Sequence, residues 1–144
     1  MPYQQDTAYS LHEQVHENCR YIIASQHRII GNSNKSTWYL SHEGEIECFV
    51  FSYCSKWIDG HVCWGLVYKD SDVQILGHNF HNEELKIAKF VDANKNRLWH
   101  GYPADYLRKA HDRPTITTLK DWVSKGYITK SKMSKIRLGQ LCNL

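Results

Sequence analysis

The apolar pattern at the start of the chain constrains the fold more than any other sequence feature. Over residues 7–30, apolar side chains fall on one arc of about 100° at 3.6 residues per turn, which predicts a long amphipathic helix. A capping box at Ser10-Leu11-His12-Glu13 predicts that the regular helix begins at Ser10, and Gly31 predicts its end. The residues on the arc are Ala8, Leu11, Val15, Cys19, Ile22, Ile23, Ile29 and Ile30.

The next segment has a period of two. Ile46, Cys48 and Val50 alternate with polar or aromatic neighbours, and a second alternation runs through residues 62–68. Turn residues lie at 42–44, 59–60 and 70–72. This pattern predicts an antiparallel meander with strands near 36–41, 45–54, 61–69 and 73–77, and residues 85–91 add a fifth strand or a short helix.

Short helices are predicted for the last third of the chain, at 104–110, 115–125 and 130–138, with Gly139 ending the last one. The chain has 144 residues, which suits one domain. We therefore predict a single α+β domain over residues 1–144. It has a long N-terminal helix packed across an antiparallel sheet of four to five strands, closed by short basic C-terminal helices.

Composition excludes several classes of protein. With 42% hydrophobic and 23% charged residues, the chain is typical of globular proteins rather than disordered ones. No apolar run is long enough to span a membrane, and the first residues lack a secretory signal pattern. Five cysteines without a C-x-x-C pair favour reduced thiols. We expect a cytoplasmic protein that has no membrane partner.

Charge is distributed unevenly. Residues 1–92 carry 7 Lys and Arg against 12 Asp and Glu, a balance of −5, whereas residues 93–144 carry 11 against 3, a balance of +8. An acidic helix-and-sheet part thus precedes a basic helical part. Such a basic third is typical of a surface that binds phosphate or an acidic partner, although solvated helix faces would give the same count.

Residues 98–114 combine aromatic and cationic side chains where the charge turns positive. Bases stack on aromatic rings while Lys and Arg neutralise phosphate, so the leading hypothesis is a nucleic-acid-binding protein that favours RNA or single-stranded DNA. Stacking is predicted for Trp99, Tyr102 and Tyr106. The predicted phosphate contacts are Arg97, Arg108, Lys109, Arg113, Lys132, Lys135 and Arg137.

The same segment supports an enzymatic alternative. A small metal-independent nuclease or toxin-like phosphodiesterase would use His100 and His111 as general base and acid. Arg108 or Arg113 would stabilise the charge of the transition state, and no cofactor would be needed. A third class is a protein-interaction or inhibitor module whose basic face docks an acidic protein. The alternative is a purely structural role, in which the aromatic residues pack where the chain crosses from the sheet to the helices.

His12-Glu13-Gln14-Val15-His16 is a literal H-E-x-x-H sequence. It resembles the motif of zincin metallopeptidases, and the resemblance implies zinc held by the two histidines, with Glu13 activating a water molecule. Only eleven residues precede the motif, and Glu13 already belongs to the capping box. We therefore predict no metal site and keep His12 and His16 only as weak candidates. His78-x-x-His81, joined by His61 or His100, is a second weak candidate.

Two further patterns resemble known folds, and each lacks a feature that the known function needs. Residues 115–138 suggest a helix-turn-helix, but the second helix opens without an Asn, Gln or Arg cluster for base readout. The predicted order of elements resembles the ubiquitin-conjugating fold, but no cysteine lies between Cys63 and Cys142 to supply its catalytic thiol.

Overall fold

The computed structural model describes residues 3–29 and 35–144. It is a mixed α and β structure with a six-stranded sheet at its centre. The helices in this part of the chain are α1 (His12–Val15), α2 (His42–Cys54), α3 (Ile116–Ser124) and α4 (Lys130–Leu138), with short 3₁₀ turns at Ser25–His27 and Ala110–Asp112.

The strands are β1 (Ala8–Ser10), β2 (Arg20–Ile22), β3 (Thr37–Trp38), β4 (Ile58–Asp59), β5 (Val62–Gly65), β6 (Tyr68–Lys69), β7 (Asp72–Val73), β8 (Gly77–His78), β9 (Glu84–Leu85), β10 (Ile87–Val91) and β11 (Leu98–Ala104). The main sheet has the order β1-β2-β11-β10-β5-β4. Its pairs are antiparallel except β2 with β11. A three-stranded sheet, β3-β8-β9, and the hairpin β6-β7 lie beside it.

The predicted N-terminal helix is wrong. Its apolar arc is divided between β1, the single turn α1 and β2, and His16 after α1 has a left-handed φ of 58° that ends the turn. Tyr21 pairs with Tyr9 of β1 on one side and with Trp99 of β11 on the other. Strand pairing therefore overrides the helical period, since Tyr21 becomes fully buried in the sheet. The predicted end at residues 30–34 lies outside the described residues.

The predicted strand at 45–54 is also wrong, because these residues form α2. The Ser41 hydroxyl accepts a hydrogen bond from the Gly44 amide at 3.0 Å and caps the helix. Two glutamates in the first turn stabilise the helix, because their negative charges lie near the positive end of the helix dipole. The buried positions of α2 recur at helical spacing: Glu45, Ile46, Cys48, Phe49 and Ser52. The alternation of Ile46, Cys48 and Val50 led to the prediction of a strand instead.

The longest strand of the sheet lies mostly in a segment for which the sequence predicted neither strand nor helix. β11 covers Leu98–Ala104 and pairs along its length with β10, so residues 87–91 are a strand and not a helix. The predicted helix at 104–110 is absent from the described structure, which has only a 3₁₀ turn after Lys109. The last two helices agree with the predictions for 115–125 and 130–138. No helix among the described residues is long and apolar enough to cross a membrane.

Two apolar clusters pack against the main sheet. The first joins α2 to the sheet through aromatic contacts, with Phe49 5.2 Å from Phe90 and 5.4 Å from Trp99 between ring centroids. The second joins α3 and α4 to the sheet around Trp57 and Trp122, whose rings meet edge to face at 5.7 Å. All five cysteines are unpaired.

The close approach of α2 to β5 requires glycine at position 65. A Cβ atom there would overlap the hydroxyl oxygen of Ser52 and lie 3.0 Å from the Ser52 Cβ. We expect Gly65→Ala to destabilise the protein by about 1–3 kcal/mol, measured by urea unfolding, because overpacking forces the helix away from the strand. Adding Ser52→Ala removes the nearest atom and should restore part of the loss. Additive effects of the two substitutions would contradict this packing.

Candidate functional site

A cleft of about 250 Å³ opens where β11, the segment after it, the first 3₁₀ turn and residues 35–36 meet. We call it the histidine cleft, because three histidines from separate parts of the chain line it. The side chains on which its chemistry depends are His27, Lys35, His100, Arg108, Lys109 and His111. Phe80 also lines the cleft, and 53% of its surface is exposed.

A buried carboxylate fixes the wall of this cleft. Asp112 is 1% exposed and accepts hydrogen bonds of 2.9 Å from the Tyr102 hydroxyl and from the Asp105 amide. The Lys89 ammonium lies 3.5 Å from the same carboxylate and donates to the backbone carbonyl of His111 at 2.7 Å. Burial lowers the pKa of Lys89, and the charge of Asp112 opposes that effect. The network holds the 105–112 segment against β10 and β11.

His27 is buried at the back of the cleft as a neutral ring. Its imidazole stacks on Tyr102 with 5.1 Å between centroids, and its Nδ1 lies 2.9 Å from the Ser36 carbonyl. Burial lowers the pKa of His27 to about 4, which outweighs the Ser36 hydrogen bond. Because a carbonyl only accepts, Nδ1 carries the proton and Nε2 holds the free electron pair.

The other two histidines differ in environment. His100 is half-buried on β11, and burial, followed by the charge of Lys35, lowers its pKa. His111 is exposed, and its Nε2 lies 3.5 Å from the Asp112 carboxylate. Burial thus favours the neutral form of His100.

The cationic side chains of the cleft fall into two groups. Arg108 donates to the Glu83 carboxylate at 2.6 and 3.0 Å and lies 3.7 Å from Asp105, so its charge is compensated. Lys35 and Lys109 make no ion pair with any described residue. The rim therefore carries two uncompensated positive charges that an anion could neutralise.

The predicted stacking residues are not brought together. Trp99 is 4% exposed and packs in the first cluster against Phe49 and Tyr53, so its ring is not available to bases. Tyr102 lines the cleft, but its ring faces His27 and its hydroxyl is held by Asp112. Tyr106 belongs to the second cluster, where its hydroxyl donates to the Gln140 carbonyl at 3.1 Å.

The predicted cations are also divided. Lys109 and Arg108 line the cleft together with His100 and His111. Arg113 does not, and its Nε donates to the Tyr106 carbonyl at 2.9 Å. The remaining predicted phosphate contacts lie outside the cleft, in the turn before β11 or on α4: Arg97, Lys132, Lys135 and Arg137.

The weak metal candidates do not converge. His12 and His16 are exposed, and the left-handed backbone of His16 takes it out of the helical turn that begins with His12. The His78 ring lies 5.1 Å from Tyr39, while His81 packs on Phe80 at 3.9 Å. Within residues 3–29 and 35–144, no three His, Cys, Asp or Glu side chains are placed to hold one metal ion.

The sequence interpretation missed His27, Lys35, Phe80 and Lys89. All four precede residue 93 and lie in the part of the chain with net negative charge, where the charge pattern indicates no anion site. Only strand pairing and chain packing bring them to the basic third, so no local pattern marks them. The one available signal was Lys89 itself, a charged residue in an otherwise apolar strand.

The chain matches no protein-family model, and neither the comparison with curated proteins nor that with solved structures found a match. The assignment of a function therefore depends on the geometry of the cleft.

The neutral state of His27 predicts a pH dependence of stability. Between its ordinary pKa of about 6.5 and the folded value of about 4, the unfolded chain takes up a proton that the folded protein does not, so stability falls as pH falls. From pH 7 to pH 4.5 this amounts to about 2 kcal/mol in urea unfolding. His27→Phe should lose that part of the pH dependence, whereas His12→Gln, at an exposed position, should keep it. Equal pH dependence in all three proteins would contradict the buried neutral ring.

The Asp112 network predicts a large mutational effect. Asp112→Asn leaves the Lys89 ammonium buried without a counter-charge, so we expect a loss of about 3–5 kcal/mol in the free energy of unfolding. In a Lys89→Met background the same substitution should be less destabilising, because no buried cation remains. A urea-unfolding cycle of the four proteins measures the coupling. A coupling energy near zero would show that the two charges do not interact.

Proposed function

We propose that the protein binds RNA or single-stranded DNA inside the cell, with the histidine cleft holding a backbone phosphate. The observation that carries this proposal is the placement of two unpaired lysines, Lys35 and Lys109, beside an exposed aromatic ring, Phe80. Binding of single strands combines a cationic groove with a platform on which bases stack.

The electrostatics of the cleft support an anionic ligand. Each of its two carboxylates faces a cation: Asp112 lies 3.5 Å from Lys89, and Asp105 lies 3.7 Å from Arg108, which it shares with Glu83. Lys35 and Lys109 make no ion pair with a described residue, so their charges can act on a ligand. The histidine rings add polar N–H groups that can donate to phosphate oxygens. The cleft volume of about 250 Å³ is small for a drug-sized ligand, and it suits a phosphate with its attached sugar.

Phe80 supports single strands over duplexes. It precedes a left-handed turn at Asn82, and the Asn79 side chain shapes this turn by accepting from the His81 and Glu83 amides at 2.9 and 3.0 Å. The ring packs on His81 at 3.9 Å between centroids and keeps 53% of its surface exposed, so we assign it the role first predicted for Trp99. Bases that are paired within a duplex could not stack on it.

Removal of the two lysines should weaken binding in a salt-dependent manner. In fluorescence anisotropy with single-stranded RNA, Lys35→Ala with Lys109→Ala should reduce the slope of log affinity against log salt by about 1.4, because each phosphate contact on a single strand contributes about 0.7. Phe80→Ala should weaken binding by about 1–3 kcal/mol.

The matched control is Lys132→Ala with Lys135→Ala, which removes the same charge from α4 outside the cleft. We expect it to leave the slope within about 0.5 of the original value, since only general attraction to the surface is lost. A slope that falls with the α4 pair and not with the cleft pair would overturn the cleft as the binding site. No binding at low salt would overturn the proposed function itself.

A further inference from the structure

We propose that the histidine cleft also cleaves RNA, with His100 as general base and His111 as general acid, by attack of the ribose 2′-hydroxyl on the adjacent phosphate. This inference rests on the proposed binding of RNA in the same cleft. It selects RNA over DNA as the substrate, because only RNA carries the attacking hydroxyl. The two histidines that the sequence suggested as base and acid both line this cleft.

The reaction balances without a co-reactant. His100 takes the proton of the 2′-hydroxyl as its oxygen forms a bond to phosphorus, and the bond from phosphorus to the 5′ oxygen breaks. His111 donates a proton to the departing 5′ oxygen. The products are a 2′,3′-cyclic phosphate and a 5′-hydroxyl end, and the two histidines have exchanged protonation states.

His100 fits the base because a base must be unprotonated at the start. It is half-buried in the cleft near Lys35, and both features lower its pKa, so the neutral ring predominates at neutral pH. His27 is less suited to this task, since its Nδ1 is committed to the Ser36 carbonyl and its pKa of about 4 makes it a weaker base.

His111 fits the acid because it is exposed to an incoming strand and supported by a carboxylate. Its Nε2 faces the Asp112 carboxylate at 3.5 Å, which leaves Nδ1 to donate toward a ligand. The Lys89 hydrogen bond to the His111 carbonyl fixes the backbone at this position. Lys35 and Lys109 place positive charge where the phosphate gains negative charge in the transition state.

The test uses a labelled DNA oligonucleotide that contains one ribonucleotide, incubated with the full-length protein in the presence of EDTA. We expect a single cut after the ribonucleotide, and mass spectrometry of the 5′ product should show a cyclic phosphate. An all-DNA oligonucleotide of the same sequence should remain intact. A cut in the all-DNA strand, or a 5′ product without the cyclic phosphate or its hydrolysed form, would overturn the mechanism.

The variants His100→Ala and His111→Ala should each reduce the cleavage rate by at least about 100-fold. The rates are compared at RNA concentrations that saturate each variant, so that a change in affinity does not enter the comparison, and circular dichroism should report the original fold. His12→Ala, an exposed histidine outside the cleft, should cleave at the original rate. Since His111 is exposed, its substitution does not disturb the core, and that variant remains informative if the His100 variant fails to fold.

The outcomes separate this inference from the proposed function. Salt-dependent binding of RNA without any cleavage would overturn the nuclease and leave the binding function in place. Cleavage that persists unchanged in the His111 variant would overturn the assignment of the acid. Absence of RNA binding would overturn both proposals.

Discussion

The buried ion pair between Asp112 and Lys89 is the interaction on which the cleft depends. Asp112 accepts from Tyr102 and from the Asp105 amide, while Lys89 reaches the His111 carbonyl, so one carboxylate and one ammonium tie β10, β11 and the 105–112 segment together. A charge removed from water at this depth is tolerated only when each of its polar atoms has a partner. That requirement holds the backbone carbonyl of His111 2.7 Å from the Lys89 ammonium.

The same network determines the sign of the electrostatic field in the cleft. Asp112 faces Lys89, Asp105 and Glu83 share Arg108, and Lys35 and Lys109 line the cleft without an ion pair to a described residue. A cationic site is therefore built partly from the segment of the chain that is acidic overall. Net charge counted along the sequence did not locate it, because a field depends on which charges are paired and which face the same space.

Elements that are stabilised by residues nearby in the sequence were predicted more accurately than elements that depend on distant contacts. The two C-terminal helices were predicted correctly because their signals are local: Thr115 and Thr129 cap their first turns, and Gly139 ends α4 with a φ of 66°. The prediction of an N-terminal helix was wrong because Tyr21 and its neighbours are stabilised more by pairing with strands on both sides than by a helical turn. The strand predicted at 45–54 was wrong because the apolar residues of this segment fit both a strand period of two and a helical period. The buried residues of α2 follow the helical period.

The sequence by itself determined that the chain mixes helices with strands, that its last third is basic and that this third ends in two helices. It also placed His100, Arg108, Lys109 and His111 close together along the chain. Only the tertiary structure decided which aromatic ring is exposed, burying Trp99 and presenting Phe80. It also added His27, Lys35 and Lys89 to the site. These residues are far from the basic third in sequence, and they reach it through sheet pairing and packing, which no local pattern encodes.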